Sequence, residues 1–153
     1  MRYSVFTAGK SYYGIPIQQV QEFDFEYKLS PVPYADSRIS GVSSLRGRII
    51  TVIDLRKCLG IKEGNEPRRR KVLVLDSIQL CKDYDTFDER FSKDVLGVVV
   101  DRIEGIVDLD FHHSLNIDQS KKGNFIEAVV NHEDKVLNLL SFPLIIQDIY
   151  KGP

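Results

Sequence analysis

The chain has 153 residues, of which 42% are apolar and 28% charged, and its formal net charge is -1. This length accommodates one domain, or two small domains that share a core. The balanced charge argues against a general nucleic-acid-binding protein, which would carry a basic excess or stripe. Cys58 and Cys81 form no CxxC unit and follow no secretory leader, which predicts reduced thiols in a cytoplasmic protein. The apolar runs are far shorter than the roughly 20 residues that cross a bilayer, so we expect no membrane insertion.

Short runs of Val, Ile, Leu, Phe and Tyr, separated by Gly, Asn, Asp or Ser, follow one another along the chain. This pattern is typical of strands and turns, and it predicts an all-β fold. In chain order, the predicted strands lie at residues 3–7, 12–20, 40–46, 48–55, 71–76, 95–100, 103–109, 124–130 and 135–140. Pro16 indicates an edge or bulge position, because proline cannot donate to a ladder. Gly47 supplies the positive φ of a tight hairpin, and short helical turns are predicted at residues 56–61 and 141–150.

The two halves of the chain resemble each other. Residues 14–17 are similar to residues 97–100, and further on residues 48–55 are similar to residues 135–142. Two similar segments in the same order favour a duplicated small barrel. A polar stretch with a glycine and a proline lies between the halves. We therefore predict a first barrel at about residues 1–66 and a second at residues 67–153, with exchange of terminal strands between them as an option.

No residue pattern marks a catalytic, metal or cofactor site. The potential metal ligands share no His-x-x-x-His or Cys-x-x-Cys spacing: His112, His113, His132, Cys58 and Cys81. The chain carries neither a nucleophile elbow nor a glycine-rich phosphate loop. A cluster of acids has the composition of a solvated loop: Asp83, Asp85, Asp88 and Glu89. The sequence therefore predicts a protein without catalytic activity, metal or cofactor.

Arginines stand out at two places. The run at residues 68–71 directly precedes a predicted strand, and we interpret it as the solvated beginning of that strand. Arg46 and Arg48 flank Gly47 in the predicted hairpin. There, arginine can hold a carboxylate with two hydrogen bonds, be offered to a partner, or simply be solvated. Composition alone leaves these alternatives open.

The hairpin also carries a resemblance to a known family. Residues 41–56 read GVSSLRGRIITVIDLR, which resembles the core motif of CheW-like domains. Residues 13–17, YGIPI, and residues 20–22, VQE, are similar to the segments that precede this motif in the family. Residues 96–101, LGVVVD, and residues 135–140, KVLNLL, resemble its later strands. The resemblance covers nearly the whole chain.

This resemblance implies two intertwined SH3-like five-stranded β-barrels. It also implies a cytoplasmic adaptor, recruited to membrane receptor arrays, that couples the cytoplasmic tip of a chemoreceptor to the regulatory domain of the histidine kinase CheA. Glu22 and Arg46 match family positions at or near the receptor groove, and we predict that they form a pair. The predicted partner-binding residues are Glu22, Arg46, Val20, Val42, Leu45, Arg48 and Val98. Each apolar member is equally compatible with an ordinary barrel core.

Three departures from the family pattern keep other functions open. Residues 23–26 are acidic and aromatic where the family has basic or small residues, and Ser43-Ser44 stand where asparagine is common. Residues 77–94 form an unusually long connection, within which residues 85–91 are a candidate short helix. A CheW-like scaffold of another kinase pathway, serving motility or development, is therefore the first alternative. A nucleic-acid-binding small barrel follows well behind it.

Overall fold

The computed structural model describes most of the chain. The described residues are 1–23, 27–62, 69–76, 79–80, 95–109, 114–116 and 125–150. Within them, no helix is long and apolar enough to cross a membrane.

Strands dominate the described residues. The strands are β1 (Arg2–Ala8), β2 (Ser11–Pro16), β3 (Val20–Glu22), β4 (Ile39–Leu45), β5 (Arg48–Asp54), β6 (Lys71–Leu75), β7 (Val95–Val100), β8 (Arg102–Asp108), β9 (Ser114–Asn116), β10 (Ile126–His132) and β11 (Lys135–Leu140). Two helices, α1 (Leu55–Cys58) and α2 (Phe142–Tyr150), follow β5 and β11, and a single 3-10 turn joins β2 to β3. The predicted all-β class with short helical turns is confirmed.

The strands form two sheets that exchange hairpins. The first sheet has the order β8-β1-β2-β11-β10-β9, and the second has the order β3-β6-β7-β5-β4. The β1–β2 hairpin of the first half thus lies in the sheet with β8 to β11, while the β6–β7 hairpin of the second half lies with β3 to β5. Each sheet draws strands from both sides of residue 66. The assignment of residues 1–66 and 67–153 to two barrels remains a prediction.

The two sheets repeat each other strand by strand. In both, an antiparallel hairpin pairs in parallel with a strand of the other half: β2 with β11, and β7 with β5. Gly14 faces Leu139 in the first parallel pair, and Gly97 faces Val52 in the second. The segments that resemble each other in the sequence are therefore those that pair across the halves, in the same register.

Close packing explains why glycine occupies both positions. A Cβ on Gly97 would lie 3.2 Å from Val52 Cγ2 and 3.2 Å from Val72 Cγ1, and a Cβ on Gly14 would lie 3.1 Å from Leu139 Cδ2. The parallel strands approach closely because one of them lacks a side chain at this point.

Each sheet has its own core, and a third core lies between the sheets. Strand β6 illustrates this, since Val72 and Val74 point into the core of the second sheet while Leu73 and Leu75 point into the shared core. Alternate side chains of a strand point to opposite faces, so both faces of β6 are buried. The core of the first sheet contains Tyr3, Val5, Leu109, Val130, Leu137 and Leu139. Each sheet thus buries one face around a core of its own, as a sheet curled into a small barrel does.

Two details differ from the sequence-based expectations. The predicted strand at residues 12–20 ends at Pro16, and the chain crosses to the other sheet through a 3-10 turn at Ile17–Gln19. Pro16 thus ends a strand and does not form a bulge within one. The first sheet also has a sixth strand, β9, which pairs with the outer edge of β10. The corresponding edge of the second sheet has a single bridge, between Ser30 and Val42.

Candidate functional site

The arginine hairpin forms as predicted from β4 and β5. Both central residues of its two-residue turn have positive φ, 49° at Arg46 and 79° at Gly47. A two-residue turn with two positive φ values is favoured in hairpins, because its backbone twist matches the twist of the two paired strands. It holds Arg46 at the tip of the hairpin in a conformation that a non-glycine residue seldom adopts.

The tip of the hairpin pairs with β3, as predicted. Arg46 Nη2 lies 2.5 Å from Glu22 Oε1, and the two side chains are 74% and 22% exposed. Glu22 Oε1 is itself buried and has no aligned hydrogen-bond donor, so the contact is an ion pair without good hydrogen-bond geometry. Because the arginine is largely exposed to solvent, the pair contributes only about 0–1 kcal/mol to stability. Most of the Arg46 side chain is left open to solvent.

The other predicted site residues lie at different depths. Arg48 is exposed beside the turn, and Val20 and Val42 are partly buried. Leu45 is 8% exposed and packs in the core of the second sheet, and Val98 is 0% exposed in the core between the sheets. The apolar site residues were open to two interpretations, partner surface or ordinary core, and the structure shows that Val98 and Leu45 are core residues. They can support a surface at the hairpin but present almost no surface of their own.

A buried ion cluster, formed by Asp54, Arg56, Arg70 and Asp101, lies at the other end of β5. Arg56 Nε and Nη2 donate to Asp101 Oδ1 and Oδ2 at 2.9 and 2.6 Å. Arg70 Nη1 and Nη2 donate to Asp54 Oδ2 and Oδ1 at 2.9 and 2.6 Å, and Arg70 Nε lies 3.4 Å from Asp101 Oδ1. These four side chains, two arginines and two aspartates, together carry no net charge.

The ion cluster joins the two sheets. Asp101 lies between β7 and β8, where the chain passes from the second sheet to the first, and its Oδ2 accepts from Gly9 N at 2.9 Å in the β1–β2 turn. Asp54 caps α1, because its Oδ1 accepts from Arg56 N at 3.0 Å. The cluster therefore fixes one strand end of each sheet, and the exchanged hairpin, to a common point.

Both carboxylates of the cluster are held in their charged form. Burial is the largest influence on the pKa of Asp54 and of Asp101 and raises it, but the hydrogen bonds and charges of the arginines together lower both pKa values below the ordinary range. Removing one member of such a cluster leaves an uncompensated buried charge, which typically costs about 3–5 kcal/mol.

A second clamp ties the segment before β4 to α2. Arg38 donates to both carboxyl oxygens of Asp36, from Nε at 2.9 Å and from Nη2 at 2.8 Å, and its Nη1 lies 2.5 Å from Asp148 Oδ2. The hydrogen bond from Arg38 lowers the pKa of Asp36 to about 2. Cys58 lies nearby in the shared core, where burial raises the pKa of its thiol to about 12, so it is a poor nucleophile.

The interpretation of the basic run as solvated is wrong for Arg70. Its side chain is 13% exposed because it is drawn into the ion cluster. The sequence patterns also did not identify a role for Asp54, Arg56 and Asp101. These residues stood only within the segments that resemble the family. One signal was available: Asp54 and Asp101 directly end apolar strands, where a charge must find a partner.

Several predictions fall outside the described residues. These are the predictions for Cys81, His112, His113, the acid cluster, the candidate helix at residues 85–91 and most of the acidic strip, residues 24–26. In the part of the chain that the structure describes, no three His, Cys, Asp or Glu side chains are grouped so that they can hold a metal ion.

Comparisons with known proteins agree with this fold. A family model described as "CheW-like domain" matches residues 2–150. The chemotaxis protein CheW of Bacillus subtilis is 25% identical over 142 residues, which cover 89% of this chain and 80% of that protein. The CheW protein of Klebsiella aerogenes is 30% identical over 105 residues, 69% of this chain, but the match spans only 55% of that relative. The crystal structure of the scaffolding protein TtCheW from Thermoanaerobacter tengcongensis matches with a TM-score of 0.76 at 20% identity, over 94% of this chain and 90% of that one, which shows a common fold.

Proposed function

Because the chain belongs to the CheW-like domain family, we propose that it is a non-catalytic adaptor of chemotaxis signalling. In this proposal it couples the cytoplasmic tip of a chemoreceptor to the regulatory domain of a CheA-type histidine kinase. Its place is the cytoplasm, at the membrane arrays to which the receptors belong.

The observation that carries the proposal is the exposed Arg46 paired with a half-buried Glu22. The pair joins the turn of the β4–β5 hairpin to the edge strand β3, at the two positions that the family resemblance assigns to the partner surface. A pair that contributes so little to stability leaves the arginine available for a partner's carboxylate, which it can hold with two parallel hydrogen bonds. The partly buried Val20 and Val42 provide apolar surface on the same two elements.

Binding of the purified chain to a receptor cytoplasmic tip and to a kinase regulatory domain, measured by calorimetry, tests the proposal. We expect both to bind and Arg46→Glu to weaken at least one of them by more than it lowers the stability of the chain. Failure to bind either, together with salt-sensitive binding to single-stranded nucleic acid, would contradict the adaptor function.

A charge swap separates the two roles of Arg46. The double variant Glu22→Arg, Arg46→Glu preserves an ion pair with reversed charges. If Arg46 contacts the partner, the swap does not restore binding, whereas full restoration means that the pair acts only by holding β3 to the hairpin. Glu133→Arg, at the corresponding turn of the β10–β11 hairpin, is the matched control for a charge reversal that leaves Glu22 and Arg46 intact.

A further inference from the structure

The repeat that relates the two sheets also relates the ion cluster to a second place in the molecule. Asp54 ends β5 and caps α1, and Ser141 follows β11 and caps α2, with its Oγ accepting from Leu144 N at 3.4 Å. Two residues further along each helix, Arg56 corresponds to Pro143. Asp54 and Arg56 are thus replaced in the second half by side chains that carry no charge.

The other arginine of the cluster is replaced as well. Arg70 directly precedes β6, and Met1 directly precedes β1, the strand that corresponds to β6 in the first sheet. Neither Pro143 nor Met1 offers a side-chain donor that could take the place of a guanidinium. Where the second sheet holds two buried arginines, the first therefore has no equivalent of them.

An open cleft occupies this place. Its volume is about 460 Å³, and it lies beside the first sheet, where its lining includes Met1, Tyr3, Gln19, Glu127, Ser141 and Pro143. Among these described residues there is no lysine or arginine side chain, and the amino group of Met1 pairs with Asp108 at 3.0 Å. Its described lining thus lacks the cations that fill the counterpart site.

Acceptor groups remain around the cleft. The amide oxygen of Gln19 is buried without a hydrogen-bond partner. Burial raises the pKa of Glu127, which a hydrogen bond from Ser141 partly offsets, although the residue as a whole is exposed at the rim. Burial, and after it the charge of Glu127, raise the pKa of Tyr3, which also lines the cleft. A buried acceptor without a donor costs free energy until a donor arrives.

We propose that this cleft binds an arginine side chain of a partner protein, in the place that Arg56 and Arg70 take up in the other half. A guanidinium suits the cleft better than an ammonium, because its planar fork can hold the carboxylate of Glu127 with two parallel hydrogen bonds. The cleft lies apart from the Glu22–Arg46 pair, and its ligand is defined by chemistry alone. The inference therefore does not rest on the proposed function.

Two small probes test the site on the whole chain. N-acetyl-arginine methylamide and its uncharged isostere, N-acetyl-citrulline methylamide, are titrated while amide signals are followed by NMR. We expect saturable shifts at Glu127 and Ser141 with the arginine probe, and binding of the citrulline probe that is weaker by about tenfold or more. Equal binding of the two probes, no binding of the arginine probe, or shifts confined to other parts of the chain would overturn the proposal.

Two variants locate the binding. Glu127→Gln keeps the shape of the side chain and removes its charge, so we expect it to abolish the difference between the probes. Glu104→Gln, on the exposed face of β8, is the matched control and should leave the difference unchanged. Pro143→Arg supplies an internal guanidinium and should block the arginine probe. If this variant does not fold, Glu127→Gln alone decides, and unaltered arginine binding to it refutes the site.

Discussion

The β4–β5 and β10–β11 hairpins have the same backbone and opposite chemistry. Each turns through two residues with positive φ, Arg46 and Gly47 in the first and Glu133 and Asp134 in the second. Each also shifts register at the same distance from its turn, after Ile39 and after Ile126. The two hairpins thus share the turn and the bulge, while the side chains at the tip are basic in one and acidic in the other.

The same contrast recurs at the other end of the two hairpins. After β5 the chain places Asp54 and Arg56 in a buried, neutral ion cluster, and after β11 it places Ser141 and Pro143 beside an open cleft. In the half with the buried arginines, side chains of the ion cluster fill the space after β5. In the other half, the cleft after β11 is lined by acceptor groups such as Glu127. The two halves thus share the geometry of their strands and differ in how their charged side chains are paired.

Removal of Asp101 should give the largest loss of stability. Asp101→Ala removes the buried carboxylate that accepts from Arg56 and from Gly9 N, so we expect the free energy of unfolding to fall by about 3–5 kcal/mol. Urea denaturation measures this value. Gln18→Ala, at the corresponding exposed position between β2 and β3, should stay within about 0.5 kcal/mol of the parent chain. A similar loss in both variants would show that the two halves do not differ in the way the ion cluster implies.

Acid should weaken the same cluster more gently than deletion, because a protonated carboxyl still accepts hydrogen bonds. The pKa values of Asp54 and Asp101 are lower in the folded chain than the ordinary value of 3.8. Their stabilisation is therefore complete above about pH 4 and is lost as the pH falls through the folded-state values. Urea midpoints between pH 6 and pH 2 should drop in the parent chain and drop less in Asp101→Asn. Parallel curves would argue against this origin of the acid sensitivity.

The paired glycines should respond unequally to a methyl group. In Gly97→Ala the new methyl meets Val52, Val72 and Ile50, all within 3.3 Å, and we expect a loss of about 1–3 kcal/mol from overpacking. In Gly14→Ala it meets chiefly the flexible end of Leu139, so the loss should be smaller. Thermal unfolding of the two variants under one condition ranks them. The reverse order would mean that the first sheet is the more tightly packed.

Truncation at the two hairpin tips should have the smallest effect on stability. Arg46→Ala removes an exposed pair and should cost at most about 1 kcal/mol, and Glu133→Ala should stay within about 0.5 kcal/mol of the parent chain. Because both residues have the same backbone conformation, the strain of the turn cancels in the comparison. Melting temperatures test this, and a collapse of the fold in Arg46→Ala would assign the hairpin tip a structural role.

The sequence predicts the repeated elements well, because turns and apolar periodicity are local. The hairpin at Gly47, the strand around Gly97 and the pairing of Arg46 with Glu22 all lie as expected. The family resemblance supplied the last of these, since spacing alone does not bring residues so far apart in sequence together.

Features that depend on contacts across the sheets were not predictable in the same way. Arg70 lies in a run of basic residues, where most arginines are solvated, and only the folded arrangement of the strands brings it to Asp54. Val98 was a candidate for the partner surface, yet β7 is central in its sheet and both of its faces are covered. The periodicity of a strand says which residues share a face, but it does not say whether that face is outside.

The exchange of hairpins has a consequence for how the chain becomes folded. Strand β2 finds its parallel partner β11 only near the end of the chain, and β5 waits for β7. Contacts between such distant segments slow folding, because a large loop must close before the contact contributes. When only the first half has left the ribosome, the β1–β2 hairpin lacks the other strands of its sheet, and β3 to β5 lack the β6–β7 hairpin. The shared core draws side chains from both halves, so it can be completed only after both have been synthesised.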